Sequence, residues 1–275
     1  MINQAQKDFW NGPAGAGWVS GQESMDRSLT GVTEALMRRA AVQPGERVID
    51  IGCGTGETSL LAASAAGKAG AVLGVDLSLP MSGLARDRAL AAGLANVSFM
   101  VGDAQTDKLL DDASLLLSRF GVMFFEDPQA AFANMHSHMA TDGRLCFACW
   151  QAPKLNQWVS LPVSIVRKYV ADDTLRDPHA PGPFAFADPA RIEQLLSGAG
   201  WRDIVVEPVD FAMPWGASVE AAASGLVERG PVRPMVENLS PAEVEKIVAE
   251  IALALPQQDG AISLSGAIFV VQARV

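Results

Sequence analysis

The chain has 275 residues, 49% hydrophobic and 19% charged, so it can bury a sizeable core and is not a disordered polypeptide. Its net charge of −10 argues against a broad nucleic-acid surface, which needs clustered Lys and Arg. We find no apolar run near the roughly 18 residues of a membrane span and no signal-peptide region. The three cysteines suggest no disulfide framework. We therefore expect a reduced, cytoplasmic protein.

Residues 1–40 are predicted to form a flap followed by a helix. Trp10 and Trp18 flank a glycine-rich stretch, and because dense glycine weakens helices, the sequence up to Gln22 is expected to be flexible. Apolar residues at helical spacing then predict a helix over 24–41.

Residues 41–150 are predicted to alternate between strands and helices. The predicted strands are 47–51, 72–76, 97–101, 114–118 and 145–150. The predicted helices are 57–66, 78–93 and 127–143. This rhythm is typical of a doubly wound parallel sheet, whose strand C-termini share the edge where ligands bind.

The second half is less regular, and we expect it to belong to the same domain. We interpret 151–187 as a lid, with a helix over 155–170 and a loop over 177–183. We interpret 188–275 as a C-terminal helix, two edge strands and a helical insertion at 215–256. The predicted elements are helices at 188–200, 219–229 and 241–255 and strands at 204–211 and 261–273.

The most informative run is 48–57, which passes from a buried strand through a glycine turn into a helix. Gly52 and Gly54 let the backbone approach a ligand, with Cys53 as a small turn residue between them. The helix N-terminus beyond them suits a carboxylate. Asp50 ends the strand beneath the turn and is expected to hold a cationic amine, directly or through water.

A dinucleotide site is a competing interpretation of this run. Its fingerprint is G-x-G-x-x-G, whereas here the third glycine comes one residue early and Glu57 takes its place. A carboxylate near a pyrophosphate is unfavourable. A plain strand–turn–helix without a ligand is the other alternative.

Two further aspartates end the next strands. Asp76 is placed to accept from both hydroxyls of a ribose, a feature that nicotinamide-dinucleotide sites share. Asp103 is placed to accept from the amino group of an adenine, with the Ala104 N–H serving a ring nitrogen. Either aspartate alone is more often a turn residue, but together they favour one shared ligand.

These runs, with 118–125 and 142–145, resemble the class I methyltransferases that use S-adenosylmethionine (SAM), nearest to the ubiquinone/menaquinone-biosynthesis-like branch. The resemblance is good over about residues 25–150 and looser in the terminal strands. It implies a Rossmann-like α/β fold with a seven-stranded sheet whose last two strands form an antiparallel pair. It also implies that Leu77 and Met81 flank the adenine and that the Ser118 carbonyl meets the methionyl amine. The whole predicted cofactor set comprises Trp18, Asp50, Gly52, Cys53, Gly54, Asp76, Leu77, Met81, Asp103, Ala104 and Ser118.

The resemblance predicts an enzyme that moves a methyl group from SAM to a small, apolar or aromatic acceptor, leaving S-adenosylhomocysteine. The acceptor atom, O, N or C, stays open. The alternatives are an NAD(P)-dependent oxidoreductase and a SAM-binding protein without turnover. We assign no catalytic residue and no metal, because methyl transfer from a sulfonium needs mainly alignment and exclusion of water.

Aromatic residues in the flap and the lid are candidates for the acceptor pocket, although aromatic residues more often simply pack in a core. The predicted acceptor-binding set is Arg119, Phe120, His179, Phe184 and Phe186. Among these, Arg119 is also expected to pair with a local carboxylate, and His179 is the histidine considered as a base. Cys146 and Cys149 would face opposite sides of a strand, which argues against a metal or redox site.

Overall fold

The computed structural model describes residues 2–170, 177–216, 218–228, 230–258 and 261–275. Its helices are α1 (Gln4–Asn11), α2 (Pro13–Ser20), α3 (Gln22–Ser28), α4 (Thr30–Ala40), α5 (Glu57–Ala66), α6 (Leu79–Ala91), α7 (Pro128–Ser137), α8 (Gln157–Val166), α9 (Pro189–Gly198), α10 (Val219–Glu228), α11 (Arg233–Val236) and α12 (Pro241–Ala254). Its strands are β1 (Arg47–Ile51), β2 (Ala71–Asp76), β3 (Val97–Val101), β4 (Ala113–Arg119), β5 (Met139–Trp150), β6 (Arg202–Pro214), β7 (Gln257–Gln258) and β8 (Ala261–Arg274).

Seven strands form one sheet in the order β3-β2-β1-β4-β5-β8-β6, and the short β7 pairs with β8 outside this row. Strands β1 to β5 are parallel, whereas β8 runs antiparallel to both β5 and β6. The predicted Rossmann-like sheet with antiparallel pairing at its last strands is therefore confirmed. The C-terminal ends of the parallel strands lie along one edge.

Helices cover both faces of this sheet. The buried Cys146 on β5 contacts the Leu36 carbonyl of α4, and the buried Cys149 contacts the Phe186 carbonyl. The two thiols therefore face opposite sides, as the strand pattern predicts. On the Phe186 side, Phe132 of α7 stacks against Phe147 of β5.

The N-terminal segment differs from the flexible flap expected from its glycines. It forms α1 and α2, and Pro13 begins α2 at the position where a missing N–H costs least. A Cβ on Gly15 would lie 1.9 Å from the Trp10 carbonyl oxygen and 3.2 Å from Ser78 Oγ. This glycine therefore allows close packing between helices, which the composition alone did not indicate.

Two other boundaries also differ. The helix expected over 24–41 is divided into α3 and α4 at Leu29. The helix expected to end near Gly143 ends at Ser137, because Met139 already pairs with Ala113 at the start of β5. Sheet pairing thus overrides local helix propensity here.

Candidate functional site

The glycine turn after β1 brings two backbone segments into direct contact. Gly52 has a φ of +62°, and a Cβ there would lie 2.5 Å from the Cα of Gly121, beyond the end of β4. A Cβ on Gly121 would lie 2.4 Å from the Ile51 carbonyl oxygen. The Ser118 hydroxyl donates to that same oxygen at 2.7 Å and accepts from the Gly121 N–H. The ends of β1 and β4 are therefore locked together without space for side chains.

Asp50 is fully buried beneath this turn. Its Oδ2 accepts from the hydroxyls of Thr58 and Ser59 at 2.7 and 2.6 Å, both in the first turn of α5. Its Oδ1 is buried without a partner in the part of the chain that the structure describes. Burial raises the pKa of Asp50 to about 6, against the two hydroxyl bonds and the nearby Arg119. This free oxygen is suited to a cationic donor.

Asp76 organises the neighbouring strand end. Its Oδ2 accepts from the Gly54 N–H and its Oδ1 from the Ser78 N–H, both at 2.8 Å. Burial raises the pKa of this carboxyl, and the two backbone donors oppose the shift. A carboxylate oxygen has two lone pairs, so each keeps one acceptor position. The geometry therefore leaves capacity for two hydroxyls of a ligand.

Asp103, after β3, is tied to the N-terminus of the chain. The Asn3 carboxamide donates from Nδ2 to both carboxylate oxygens of Asp103, at 3.0 and 2.9 Å, and to Gln105 Oε1 at 3.0 Å. Asn3 also exchanges two hydrogen bonds with Glu126, after β4. One buried asparagine therefore joins the loops after β3 and β4.

Helices α1 and α2 continue this cover towards β2. The Asn11 side chain donates to the Leu77 carbonyl and accepts from the Leu79 N–H, both at 2.9 Å. The Trp10 carbonyl accepts from Ser78 Oγ at 2.8 Å, and the Trp10 ring meets Phe124 edge to face. The N-terminal helices therefore close over the ends of β2, β3 and β4.

An ion network lies on the other side of the glycine turn. Arg88 of α6 donates to the Thr55 carbonyl at 2.8 Å and pairs with Asp26 and Glu57 at 2.9 and 2.6 Å. Arg119, at the end of β4, is 3.6 Å from Asp26 and also donates to a threonine of α4. Burial lowers the pKa of Arg119, although Asp26, Glu57 and Asp50 oppose this shift. Arg119 thus has the local carboxylate partner expected for it.

Beyond β4 and β5 the sheet edge becomes aromatic. Phe120 has a left-handed φ of 69° and stacks on Trp150 with ring centroids 4.4 Å apart. Trp150 in turn lies 5.3 Å from Trp158 of α8, which stacks on Phe184 at 5.8 Å. We call Phe120, Trp150, Trp158 and Phe184 the aromatic cluster.

The remaining predicted cofactor residues divide into two groups. Cys53, Met81 and Ala104 are buried near the strand ends, and burial raises the pKa of the Cys53 thiol well above its usual range. Trp18 lies beside Trp10, with ring centroids 6.4 Å apart.

Three of the acceptor candidates do not belong to the aromatic cluster. Arg119 is engaged with Asp26. His179 is exposed, and its backbone N–H donates to Asp177. Phe186 is 1% exposed and packs against Phe132 and Phe147 in the core. Phe184 and Phe186 therefore have different environments, although both were expected to line a pocket. Part of the predicted lid, 171–176, lies outside the described residues, as do 217 and 229 of the predicted insertion.

Sequence reasoning missed several residues that shape this edge. Thr58 and Ser59 follow the glycine turn directly, so their place in the first helical turn could have marked them as partners of Asp50. Asn3 and Arg88 gave no comparable signal, because their partners are distant in the chain. Asn3 is 100 residues from Asp103, and Arg88 is 62 residues from Asp26.

The chemistry of this edge suits a ligand with an aromatic amine, a diol and an ammonium group. The free capacity lies on Asp103 Oδ2, on both oxygens of Asp76 and on Asp50 Oδ1. SAM, which the sequence resemblance implies, carries all three groups. The residues present therefore fit SAM.

Comparison with known proteins gives a consistent picture. Residues 48–143 match the family model of a methyltransferase domain. Aklanonic acid methyltransferase of Streptomyces sp. strain C5 is 35% identical over 124 residues, which cover 45% of this chain and 53% of that protein. Demethylmenaquinone methyltransferase of Geobacillus kaustophilus is 33% identical over 104 residues, covering 38% of this chain and 44% of that protein. The chain thus spans about half the length of these curated relatives.

A solved structure shows the same fold over a wider range. It is that of phosphoethanolamine N-methyltransferase 2 of Haemonchus contortus, in complex with S-adenosyl-L-methionine. The superposition covers 98% of this chain and 59% of that protein. The TM-score is 0.58 at 18% identity.

A search of the described residues for membrane-spanning helices found none with the length and apolar character that a span requires.

Proposed function

We propose, from the methyltransferase domain that residues 48–143 match, that this chain transfers a methyl group from SAM to a small acceptor. This match confirms the resemblance to class I methyltransferases expected from the sequence. The observation that carries the proposal is the arrangement of Asp50, Asp76 and Asp103 at three neighbouring strand ends, each with acceptor capacity left. S-adenosylhomocysteine would be the second product.

The chain's residues would mainly bind and align. Asp50 Oδ1 would accept from the ammonium group, Asp76 from the ribose hydroxyls and Asp103 from the adenine amine. The bound sulfonium supplies a methyl group that is already activated. Alignment and exclusion of water are then the protein's main contributions. Helices α1 and α2, which cover three strand ends, would exclude solvent on the nucleoside side.

The acceptor side is proposed from the aromatic cluster next to Phe120. Enclosed apolar walls with few polar groups are typical of small-molecule pockets. Aromatic faces also stabilise a neighbouring cation such as a sulfonium. Two matching relatives are named for methylating aklanonic acid and demethylmenaquinone, which supports a small-molecule acceptor here. The net charge of −10 disfavours a nucleic-acid acceptor.

A cytoplasmic location is part of the same proposal. All three cysteines are buried and free, which suits a reducing compartment. Burial raises the pKa of Cys146 to about 12, so this thiol stays protonated and unreactive at neutral pH.

Calorimetry of SAM binding to Asp76→Ala tests the cofactor assignment. Hydrogen bonds to a charged group are worth about 1.5–3 kcal/mol each, so we expect SAM affinity to fall by about one to two decades. Asp111→Ala is the matched control, because Asp111 is an exposed carboxylate that contacts Lys108 and His138 instead. Equal SAM affinity in wild type and Asp76→Ala would remove Asp76 from the site.

A thermal-shift panel of SAM, S-adenosylhomocysteine, NAD and NADP tests the class of cofactor. We expect stabilisation by the first two compounds, because a ligand that binds only the folded state raises the melting temperature. Stabilisation by NAD or NADP alone would instead support an oxidoreductase. A screen of small aromatic acceptors with labelled SAM then tests turnover, and SAM binding without any methylated product would support a silent binder.

A further inference from the structure

The aromatic cluster contains a buried polar atom that has no hydrogen-bond partner among the described residues. The indole Nε1–H of Trp158 is buried and makes no hydrogen bond within the part of the chain that the structure describes. A buried donor without a partner destabilises the folded protein, because it has lost its hydrogen bonds to water. Such a group in a native protein calls for an explanation, and a ligand that accepts the bond is one.

The position of Trp158 favours a ligand at the proposed acceptor side. Its ring lies between Trp150 at 5.3 Å and Phe184 at 5.8 Å. Trp150 stacks on Phe120, whose neighbour Gly121 abuts Gly52 of the glycine turn. The cluster thus runs from the proposed cofactor site to the lid helix α8.

Indole chemistry restricts what this ligand can offer. An indole N–H is a donor only, so its partner must be a hydrogen-bond acceptor and not an ammonium or amide N–H. The rings around it form an apolar surface that favours a flat, uncharged body. Arg119, the cation at the end of β4, already lies near Asp26 and donates to Thr33. Among the described residues of this strand end, the positive charge is therefore already engaged, which disfavours an anionic ligand.

We propose that the Trp158 N–H donates to an oxygen of the methyl acceptor, and that the acceptor is a planar aromatic compound bearing a ketone, quinone or phenol oxygen. This inference rests on the proposed function and names its substrate class. Trp158 is then a specificity-determining residue. The rings of the aromatic cluster contact the flat faces of the compound, and the Trp158 N–H favours compounds that have an oxygen within hydrogen-bond distance.

Equilibrium dialysis with two probes tests the proposal without turnover. The probes are 2-acetonaphthone and 2-ethylnaphthalene, which have the same ring and a similar size and differ in the carbonyl oxygen. Each is titrated, with and without S-adenosylhomocysteine, against wild type and Trp158→Phe, which keeps a ring but removes the N–H. We expect the ketone-to-hydrocarbon affinity ratio to be about tenfold lower in Trp158→Phe than in wild type.

Trp201→Phe is the matched control. Trp201 is also a buried tryptophan, but its Nε1–H already donates to the Phe132 carbonyl at 3.1 Å. This variant should lose stability and keep the wild-type affinity ratio. A ratio that is the same in wild type and Trp158→Phe overturns the proposal, and so does failure of the ketone to bind wild type.

SAM calorimetry on the same samples separates this inference from the proposed function. Normal SAM binding with an unchanged probe ratio would refute only the role of Trp158. Absence of SAM binding with a Trp158-dependent ketone preference would refute the methyltransferase and retain the aromatic oxygen site. Melting temperature and SAM affinity of Trp158→Phe show whether the variant is folded.

Discussion

The two halves of the proposed ligand-binding edge are built from different chemistry. At the ends of β1, β2 and β3, aspartates accept hydrogen bonds from named backbone and side-chain donors. At the ends of β4 and β5, Phe120 and Trp150 begin a series of stacked rings. Directed hydrogen bonds are specific for one ligand in one orientation. Stacked rings instead restrict only the plane of a flat ligand and leave the substituents at its edges free to vary. The polar half is therefore suited to a fixed cofactor and the aromatic half to an acceptor that varies between proteins.

The largest expected effect comes from Gly52→Ala in the polar half. The new Cβ would lie 2.5 Å from the Gly121 Cα, at a φ of +62° that alanine disfavours. We expect SAM binding to fall below detection by calorimetry. Gly67→Ala is the control, because Gly67 has a φ of +63° with no atom within 4 Å of the new Cβ. If both variants bind SAM equally, the contact between the ends of β1 and β4 is not required.

A second pair of variants tests the boundary between the aromatic cluster and the core. Phe186→Ala removes a fully buried ring and should destabilise the protein by about 3–5 kcal/mol. Phe184→Ala removes a partly exposed ring and should mainly raise the KM for the acceptor. Thermal melts and acceptor kinetics measure both variants. A large loss of stability in Phe184→Ala with normal kinetics would assign Phe184 to packing.

The third prediction concerns Asp50, whose buried carboxyl has a pKa raised to about 6 from 3.8. Between these values the native state binds more protons than the unfolded state, so this group lowers stability as pH rises from about 4 to 6. Asp50→Asn should therefore raise the melting temperature of the ligand-free protein at pH 7.5 while weakening SAM binding.

Wild-type SAM affinity should have the opposite pH dependence. An ammonium group needs the ionised carboxylate, so affinity should fall as pH decreases through about 6. The same calorimetric series on Asp50→Asn should lack this transition. A wild-type affinity that stays constant from pH 5 to pH 8 would contradict the ammonium contact of Asp50.

The smallest expected effect comes from Asn3→Ala, in the N-terminal segment that covers the polar half. Asp103 keeps its backbone donor from Gln105, but loses the carboxamide that joins it to the loop after β4. We expect SAM affinity to fall by less than about tenfold, since one neutral side-chain group contributes roughly 1 kcal/mol. Limited proteolysis should show faster cleavage within residues 1–20. Unchanged cleavage would indicate that α1 is held mainly by its packing around Trp10.

The sequence alone determined the glycine turn and the three aspartates of the polar half, together with the order of the core elements. The glycine turn and the aspartates at or just beyond the ends of three strands are local patterns, because each depends on residues next to one another in the chain. Period-two and period-3.6 patterns likewise determined most strand and helix positions. They were least reliable at element ends, as at Ser137, where pairing with β4 decided the boundary.

Only the tertiary structure decided which distant residues meet. The Asn3–Asp103 contact spans 100 residues. This contact and the close packing at Gly15 hold the N-terminal helices against the rest of the protein. Phe184 and Phe186 are the same residue type two positions apart, yet one joins the aromatic cluster and the other enters the core. A local pattern specifies which residue types are available. The folding of the whole sheet and its covering helices sets the distances between them, and these distances decide whether a ring packs in the core or lies beside a ligand.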